Sequence, residues 1–215
     1  MVENKTISVD VGGVVFKTTR ETLQREAISR MAEDTQDESV TTLFYDRDPT
    51  HFRLVLNYLR DGQDVFLPKS RAILDELLIE ARYYKLFGFI QVIKINFPVT
   101  LHITGDTNEI YTYVEPLKIF MTRERNSRLT QLAITHARAD VPLYLRKKVI
   151  PAFSIDNFNL VLEFLKFGPE IITDETSKQL QRMNVDFLTF FGLQRLQKLR
   201  IQQHNMKVRK LSLYD

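Results

Sequence analysis

The sequence predicts an α/β protein made of two copies of one small domain, each a small mixed sheet with packed helices. Three observations support this prediction: a short β-hairpin near the start of the chain, amphipathic helices after it, and a second occurrence of one helical segment in the other half. The chain has 215 residues, which is long enough for two domains of about 100 residues each.

The first predicted element is a β-hairpin. Apolar and polar residues alternate over residues 7–11, which is typical of a strand with one buried face. Gly12 and Gly13 supply a tight turn, and residues 14–18 form the returning strand. Lys17 follows an aromatic residue and not a glycine, so the segment does not match a phosphate-binding loop.

A helix is predicted next, over residues 19–30, with Thr19 as its N-cap. Its inward face is expected to hold Leu23, Ala27 and either Ile28 or Met31. The polar and acidic residues 33–39 then predict a surface loop that leads to the next strand.

A second strand segment and two further helices complete the first domain. Residues 43–45 predict the strand, Asp48 is the expected N-cap of the next helix, and Pro49 suits its first position. The buried stripe of that helix is expected to contain Phe52, Val55, Leu56 and Leu59. Gly62 is expected to end this helix, and Ser70 to begin the last one. The inward residues of the last helix are predicted to be Leu74, Leu77, Leu78, Ala81 and either Tyr84 or Lys85.

The second half of the chain repeats these segments in the same order. Residues 52–62 and 158–168 share six of eleven residues at a shift of 106. Ser154 takes the place of the N-cap. The apolar stripe recurs as Phe158, Val161, Leu162 and Leu165. Two further pairs of segments match in order, namely 6–13 with 100–107 and 83–86 with 190–193.

We therefore expect one domain over residues 1–97, a divergent copy over 98–200 and a basic tail over 201–215. Residues 1–95 hold 13 basic and 15 acidic side chains, and residues 96–215 hold 17 and 12, so the net charge of +3 combines −2 with +5. The basic side chains near the end of the chain are Arg195, Lys198, Arg200, Lys207, Arg209 and Lys210. Their spacing favours a solvated or docking helix, and binding of nucleic acid or an anionic surface is the weaker alternative.

Catalytic and metal-binding functions find little support in the sequence. There is no cysteine, which excludes disulfides, thiolate nucleophiles and cysteine-ligated zinc. No G-x-S-x-G motif occurs, and metal-ligand spacing is absent among His51, His102, His136 and His204. The most apolar stretch, residues 86–103, is interrupted by polar residues and a proline. We therefore expect a cytoplasmic, non-enzymatic protein with no cofactor, no metal and no membrane span.

Three segments of the first half resemble a known domain family. The segments "ISVDVGGVVFKTTRETL", "LFYDRDPTHFRLVLNYLRDG" and "LLIEARYYKL" resemble the BTB domain of the potassium-channel tetramerisation type, over residues 6–93. That group includes channel tetramerisation domains and the soluble KCTD proteins. The resemblance implies a small sheet capped by helices and self-association of the chain. Family members without a channel often bind cullin-3 and recruit substrate proteins for ubiquitination, whereas others only oligomerise, and the resemblance leaves both roles open.

The resemblance also implies which residues make contacts. The oligomer interface is expected to include Asp46, Arg47, Asp48 and Arg53. Within it, Arg47 would pair with a carboxylate of a neighbouring copy, whereas Asp48 is also the candidate helix cap. The cullin-3 surface is expected to include Tyr45, His51, Asp61 and Phe66. Phe66 is either an apolar anchor for the partner or an ordinary packed loop residue. Because cysteines are absent, assembly would not use the zinc of some family tetramers.

The second copy departs from the family pattern at two places. Gly105-Asp106-Thr107 stands where the hairpin glycines are expected, and residues 150–155 replace the charged run at 45–49. The charges expected at the oligomer interface are therefore missing from the second copy. Two hypotheses stay open. In one, the chain is an adaptor that assembles through its first copy. In the other, it is a structural pseudo-dimer, in which the second copy covers that surface and the chain stays monomeric.

Overall fold

The computed structural model describes residues 6–104, 109–146, 150 and 153–211, with side chains as far as residue 205. The chain divides into two compact units, Met1–Phe97 and Pro98–Asp215. Each unit contains a three-stranded mixed sheet with packed helices, so the predicted fold class is confirmed. Within the described ranges, no helix combines the length and the apolar character that a membrane crossing requires.

The sheet of the first unit begins with the predicted hairpin. Strands β1 (Thr6–Val11) and β2 (Val14–Thr19) pair antiparallel, and β3 (Thr42–Tyr45) adds parallel to β1, in the order β2-β1-β3. Gly12 and Gly13 turn the chain with φ of 54° and 90°, which favours glycine at both positions. A Cβ on Gly12 would also collide with the carbonyl oxygen of Arg47, so this turn needs glycine for space as well.

The prediction of a single helix is wrong for the segment of residues 19–30. It is divided into α1 (Arg20–Leu23) and α2 (Arg30–Asp34), and Thr19 caps the first as expected. The division arises because Ser29 is itself an N-cap, with its hydroxyl accepting the N–H of Ala32 at 3.1 Å. Leu23 and Met31 are buried as predicted, whereas Ala27 and Ile28 are exposed in the connecting turn. The predicted loop over residues 33–39 begins only after α2.

The helical part of the first unit consists of α3 (Phe52–Asp61), α4 (Arg71–Tyr83) and α5 (Phe87–Ile95). The predicted stripes of α3 and α4 are all buried, Gly62 ends α3 with φ of 65°, and Ser70 precedes α4. The prediction of Asp48 as N-cap is wrong. Its carboxylate accepts the N–H of Thr50 at 2.8 Å, which builds a turn containing Pro49, and α3 begins only at Phe52.

The second unit has the same sheet topology. Its strands β4 (Pro98–Thr104), β5 (Ile110–Pro116) and β6 (Leu143–Arg146) take the order β5-β4-β6, with β5 antiparallel and β6 parallel to β4. The helices are α6 (Lys118–Arg123), α7 (Arg128–Ala139), α8 (Ile155–Phe167), α9 (Asp174–Arg182), α10 (Val185–Phe191) and α11 (Gln194–Leu211). The order of elements matches the first unit, except that two short helices, α9 and α10, take the place of the single helix α4.

The repeated segments occupy equivalent places in the two units. The predicted stripe of α8 is buried, Ser154 accepts the N–H of Asn157 as the expected N-cap, and Gly168 ends the helix with φ of 83°. The match of residues 83–86 with 190–193 also holds for the backbone. Lys85 and Gly192, at the same place in these segments, have φ of 58° and 68°.

Three parts of the sequence predictions lie partly or wholly outside the described residues. These are the turn Gly105-Asp106-Thr107, part of the run 150–155, and the end of the basic tail. Helix α11 continues through the predicted tail to Leu211. The side chains of Lys207, Arg209 and Lys210 and residues 212–215 are outside the described part.

One repeated motif escaped the sequence comparison. Residues 25–30 and 123–128 both read R-E-x-x-S-R, at a shift of 98. Ser29 and Ser127 in these motifs cap α2 and α7 in the same way, each accepting the backbone N–H three residues later at 3.0–3.1 Å. A search for short polar matches between the two hairpin regions would have found this motif.

The first arginine of each motif contacts the end of an equivalent helix. Arg25 donates to the carbonyl oxygen of Arg60 at 2.7 Å, at the last turn of α3. Arg123 donates to the carbonyl oxygen of Lys166 at 3.1 Å, at the last turn of α8. Both contacts satisfy carbonyl groups that a helix leaves unpaired at its C-terminus. The structural repeat therefore extends to individual side-chain contacts.

Candidate interaction site of the first unit

The charged run after β3 is organised by one ion pair within the unit. Arg47 donates to Glu80 on α4 through two nitrogens, Nη2 to Oε1 at 2.5 Å and Nε to Oε2 at 3.2 Å. This hydrogen bonding raises the pKa of Arg47 above its ordinary value, so the guanidinium stays charged. Glu80 is 8% exposed and depends on Arg47 to compensate its charge.

An aromatic ring fixes Arg47 further. The guanidinium of Arg47 lies 4.7 Å from the ring centroid of Tyr83, and that of Arg30 lies 4.4 Å from the same centroid. Such contacts favour a cation over an aromatic face. The second unit repeats one of them, because Arg128 lies 4.3 Å from the ring centroid of Phe190.

The predicted interface residues therefore differ in how available they are. Asp46, Asp48 and Arg53 are exposed, whereas the side chain of Arg47 is 28% exposed and already paired with its own Glu80. The hydrogen bond from Thr50 holds the pKa of Asp48 below its usual value, so this carboxylate is ionised. The rim of the unit, by which we mean the charged run after β3 and the start of α3, thus presents two exposed carboxylates, Asp46 and Asp48, and the cation Arg53. The role of these residues in an interface stays a prediction.

The predicted partner-binding residues do not form one cluster. His51 lies at the start of α3, where its Nε2 is 2.6 Å from Oε2 of Glu76 on α4. Asp61 ends the same helix, and ten helical residues span about 15 Å. Asp61 and Phe66 share one end of α3, and His51 shares the other end with the charged run.

Tyr45 is a core residue and not a surface contact, which corrects its place among the partner candidates. It is 4% exposed, and its hydroxyl donates to Oδ2 of Asp34 at 2.9 Å. Burial raises the pKa of this phenol above its ordinary value, so the hydroxyl stays protonated. Tyr45 lies in the core next to the charged run and offers almost no exposed surface to a partner.

Among the described residues of the first unit, Phe66 is the most exposed large apolar side chain. It is 86% exposed, whereas its neighbours Val65 and Leu67 are 7% and 9% exposed. The two buried neighbours anchor the loop and leave the ring of Phe66 in solvent. The ring of Phe66 is therefore not packed as an ordinary loop residue would be, and its role as an apolar contact for a partner stays a prediction.

The second unit has a polar groove at the equivalent pair of helices. The groove, of about 650 Å³, lies between α8 and α9 and is lined by Asp156, Glu163, Glu175, Lys178 and Arg182, among others. Among the described side chains, no ion pair joins its two walls, although the side-chain amide of Gln179 donates to the carbonyl oxygen of Asp156 at 2.8 Å. Asn157 stands here at the position of His51. The bridge that links α3 to α4 is therefore absent, and the groove is open.

Comparison with known proteins identifies the first unit. Residues 7–92 match the BTB/POZ domain family. A zebrafish (Danio rerio) BTB/POZ domain-containing adapter for CUL3-mediated RhoA degradation protein 1 is 40% identical over 96 residues, which cover 42% of this chain and 29% of the relative. The human (Homo sapiens) BTB/POZ domain-containing protein KCTD17 is 42% identical over 97 residues, covering 42% and 30%.

A longer match reaches into the second unit. The mouse (Mus musculus) BTB/POZ domain-containing protein KCTD5 is 30% identical over 142 residues, covering 62% of this chain and 49% of the relative. The first unit ends at Phe97 of 215 residues, so such a match must continue beyond it. The chain spans between about a third and a half of the length of these relatives. Residues 7–92 therefore form a BTB/POZ domain of the potassium-channel tetramerisation type, with KCTD proteins among its relatives.

Proposed function

We propose that this chain is a non-enzymatic KCTD-like adaptor that self-associates through its first unit and recruits partner proteins, with cullin-3 as the ligase partner. The observation that carries the proposal is Phe66, a ring 86% exposed on a BTB/POZ domain and held between two buried neighbours. The printed name of the zebrafish relative, an adapter for CUL3-mediated degradation, supports the choice of partner.

The partner surface is proposed to centre on Phe66, with Asp61 beside it at the end of α3. Aromatic side chains that enter a partner's pocket commonly dominate binding energy. Phe66→Ala is expected to weaken binding to purified cullin-3 by at least about tenfold, measured by titration calorimetry with the full chain. Phe44→Ala is the matched control, because Phe44 is a 65% exposed aromatic residue on β3. Equal binding by the two variants would refute this surface, and no binding by the wild type would refute the cullin-3 partnership.

The assembly surface is proposed to join the acidic rim of one copy to Arg53 of the next. Asp46 and Asp48 remain exposed while Arg47 is engaged with Glu80, so Arg53 is the cation left for a neighbour. A head-to-tail contact of this kind closes into a ring. The second copy lacks the equivalent charges, which supports assembly through the first unit.

A charge exchange tests this contact in the full chain. Arg53→Glu is expected to lower the mass of the assembly, measured by light scattering coupled to size exclusion, because it places like charges together. Adding Asp46→Arg is expected to restore the mass, since the reversed pair attracts again. Arg82→Glu, at an exposed arginine of α4, is the control. A monomeric wild type would instead favour the structural pseudo-dimer, in which the second unit covers the rim.

Recruitment of a substrate is proposed to use the second unit. The open groove between α8 and α9 has carboxylates on the α8 wall, and both cations together with the carboxylate of Glu175 on the α9 wall, which suits a peptide of mixed charge. Lys178→Glu is expected to reduce transfer of ubiquitin to a bound substrate without changing cullin-3 affinity or assembly mass. Loss of all three properties together would point to a folding defect and contradict a separate recruitment surface.

A further inference from the structure

The four sheet edges of the chain differ in how well they are protected against pairing with another strand. Edge strands expose backbone donors and acceptors, and proteins usually protect them by short length or by a lysine. The edge strands β3 and β6 have only four residues each. Strand β2 has six residues and carries Lys17 in its second half. Strand β5, with the sequence IYTYVEP, has seven residues and no basic residue. Among the described edge strands only β5 has neither of these two protections, and its proline, Pro116, stands at the last position of the strand, outside residues 111–115.

The side chains of β5 that face the helices hold the strand in place. The hydroxyl of Tyr113 donates to Oδ1 of Asn159 on α8 at 2.7 Å. Glu115, the one charged residue of the strand, forms an ion pair with Lys166, also on α8. The charge of Glu115 is thereby compensated within the unit. The strand is fixed before any partner arrives, so an added strand would meet an ordered edge.

The opposite face of β5 is open to solvent and holds Ile110, Thr112 and Val114, two apolar residues on either side of a threonine. Ile110 and Val114 are 65% and 48% exposed on this strand. Tyr144, on β6 of the same sheet, is 57% exposed, and its ring centroid lies 5.0 Å from that of His102. A strand added beside β5 would therefore find β-branched side chains for cross-strand contacts as well as backbone groups.

We propose that β5 pairs antiparallel with β5 of a second copy of this chain, so that two three-stranded sheets join into one six-stranded sheet. Alternate residues of an edge strand direct their N–H and C=O groups away from the sheet, and a symmetric partner strand supplies matching groups.

The sequence of β5 is self-complementary in this arrangement. A two-fold axis at Tyr113 places Thr112 opposite Val114 of the other copy, which is a pair of β-branched residues. It also places Tyr111 opposite Glu115, so the one charge of the strand does not face itself. This agreement of charge and shape selects a second copy over an unrelated strand.

The contact is independent of the assembly proposed for the first unit. It uses a different sheet, and it doubles whatever assembly the first unit forms. A pair of seven-residue strands buries less surface than the roughly 1,200 Å² of a stable interface, so the dimer depends on protein concentration.

The test measures the mass of the full chain over a range of concentrations by sedimentation velocity. Val114→Lys places a lysine on the edge and is expected to raise the dissociation constant of the doubling step at least about tenfold. Val185→Lys is the matched control, because Val185 on α10 is also 48% exposed. Arg53→Glu separates the two contacts, since it disrupts only the first-unit assembly and leaves the β5 dimer.

Hydrogen exchange of the wild type provides a second readout that needs no variant. Alternate amides of β5 are expected to become protected as concentration rises, while the amides of β2 do not change. Equal masses of the Val114→Lys and wild-type chains over the range would overturn the proposal. It would also be overturned if β5 amides exchanged at the same rate at every concentration, or gained protection only when another protein is added.

Discussion

Equivalent positions in the two units hold an ion pair in one and an aromatic pair in the other. In the first unit Arg47 and Glu80 form the ion pair. The shifts of 106 and 107 that relate the flanking segments place Phe153 and Phe187 at these positions in the second unit. Their ring centroids are 6.1 Å apart, and both rings are buried. Two units with the same sheet topology therefore hold different pairs at these positions.

This difference bears on why the first unit has the charged residues Arg47 and Glu80 at these positions. Replacing a buried ion pair by apolar residues of similar volume is often neutral or stabilising. The second unit shows such a replacement, so stability alone does not explain why the first unit keeps Arg47 and Glu80. A role of this pair in holding the exposed rim beside Asp46 and Asp48 stays a prediction, and the variants of the proposed assembly surface test it.

The largest expected effect concerns the glutamate of the R-E-x-x-S-R motif. Glu124 is 5% exposed, and its Oε1 accepts the N–H groups of Arg195 at 2.7 Å and Leu196 at 3.0 Å, at the start of α11. Glu124→Ala leaves these donors unpaired in a buried place, so we expect the second unit to lose about 3 kcal/mol of its free energy of unfolding.

The equivalent change in the first unit sharpens the comparison. Glu26 accepts the hydroxyl hydrogen of Tyr58 and is only partly buried, so Glu26→Ala is expected to cost the first unit about 1 kcal/mol. Hydrogen exchange measures both losses, because it reports the two units separately. Equal losses would show that the two glutamates contribute equally to the free energy of unfolding despite their different burial.

The same glutamate predicts a pH dependence confined to the second unit. Burial raises the pKa of Glu124 above its ordinary value of 4.5. At pH values between the ordinary pKa and the raised pKa of the folded unit, the folded unit binds more protons than the unfolded chain. The free energy of unfolding that depends on this group therefore falls as pH rises through that window. Glu124→Gln lacks this contribution. The free energy of unfolding of the Glu124→Gln variant, relative to that of wild type, is therefore expected to increase as pH rises above about 4.5. Hydrogen exchange of the second-unit amides measures this difference.

The ion pair of the first unit gives the next largest effect. Arg47→Ala leaves the buried Glu80 without a partner, and we expect a loss of about 2 kcal/mol, since Arg47 is 28% exposed and partly screened by water. The double variant Arg47→Phe with Glu80→Phe copies the second unit and is expected to stay within about 1 kcal/mol of wild type in thermal unfolding. A double variant less stable than the single one would refute the equivalence of the two pairs.

Local patterns allowed much of this fold to be predicted, and contacts between distant segments account for most of the rest. The α3 stripe and the turn at Gly12 follow from spacing alone, because each depends on neighbours in sequence. The break at Ser29 was missed, since an N-cap inside a helical pattern competes with the helix only when the next turn packs elsewhere.

The site was harder to predict than the fold. Tyr45 and Phe66 are both aromatic residues near a strand or helix end, and no periodicity distinguishes the buried one from the exposed one. The partner of Arg47 within the unit, Glu80, lies 33 residues away on α4. The sequence therefore indicated that Arg47 is charged, but not which residue it contacts. The contact of Glu124 with α11 spans 71 residues, so it could not be predicted from the sequence either.

A smaller effect is expected at a tyrosine whose counterpart is phenylalanine. Tyr84 is fully buried, and its hydroxyl has no hydrogen-bond partner among the described residues. Phe191 stands at the equivalent position and lacks the hydroxyl. Tyr84→Phe removes an unpaired buried polar group, so we expect a gain of about 1 kcal/mol in thermal unfolding. A loss of stability would show that the hydroxyl does find a partner in solution.

The smallest expected effect tests the left-handed residue that ends α4. Lys85 has φ of 58°, a conformation that costs a residue with a side chain roughly 1 kcal/mol, whereas Gly192 at the equivalent place avoids this cost. Lys85→Gly also removes an exposed ion pair with Glu33 at 2.9 Å, which is worth little. The net gain is therefore expected to be about 0.5 kcal/mol. Lys85→Ala removes the ion pair but keeps the backbone cost, so it should gain nothing in urea unfolding. If both variants lost the same stability, the ion pair and not the backbone would determine the residue at this position.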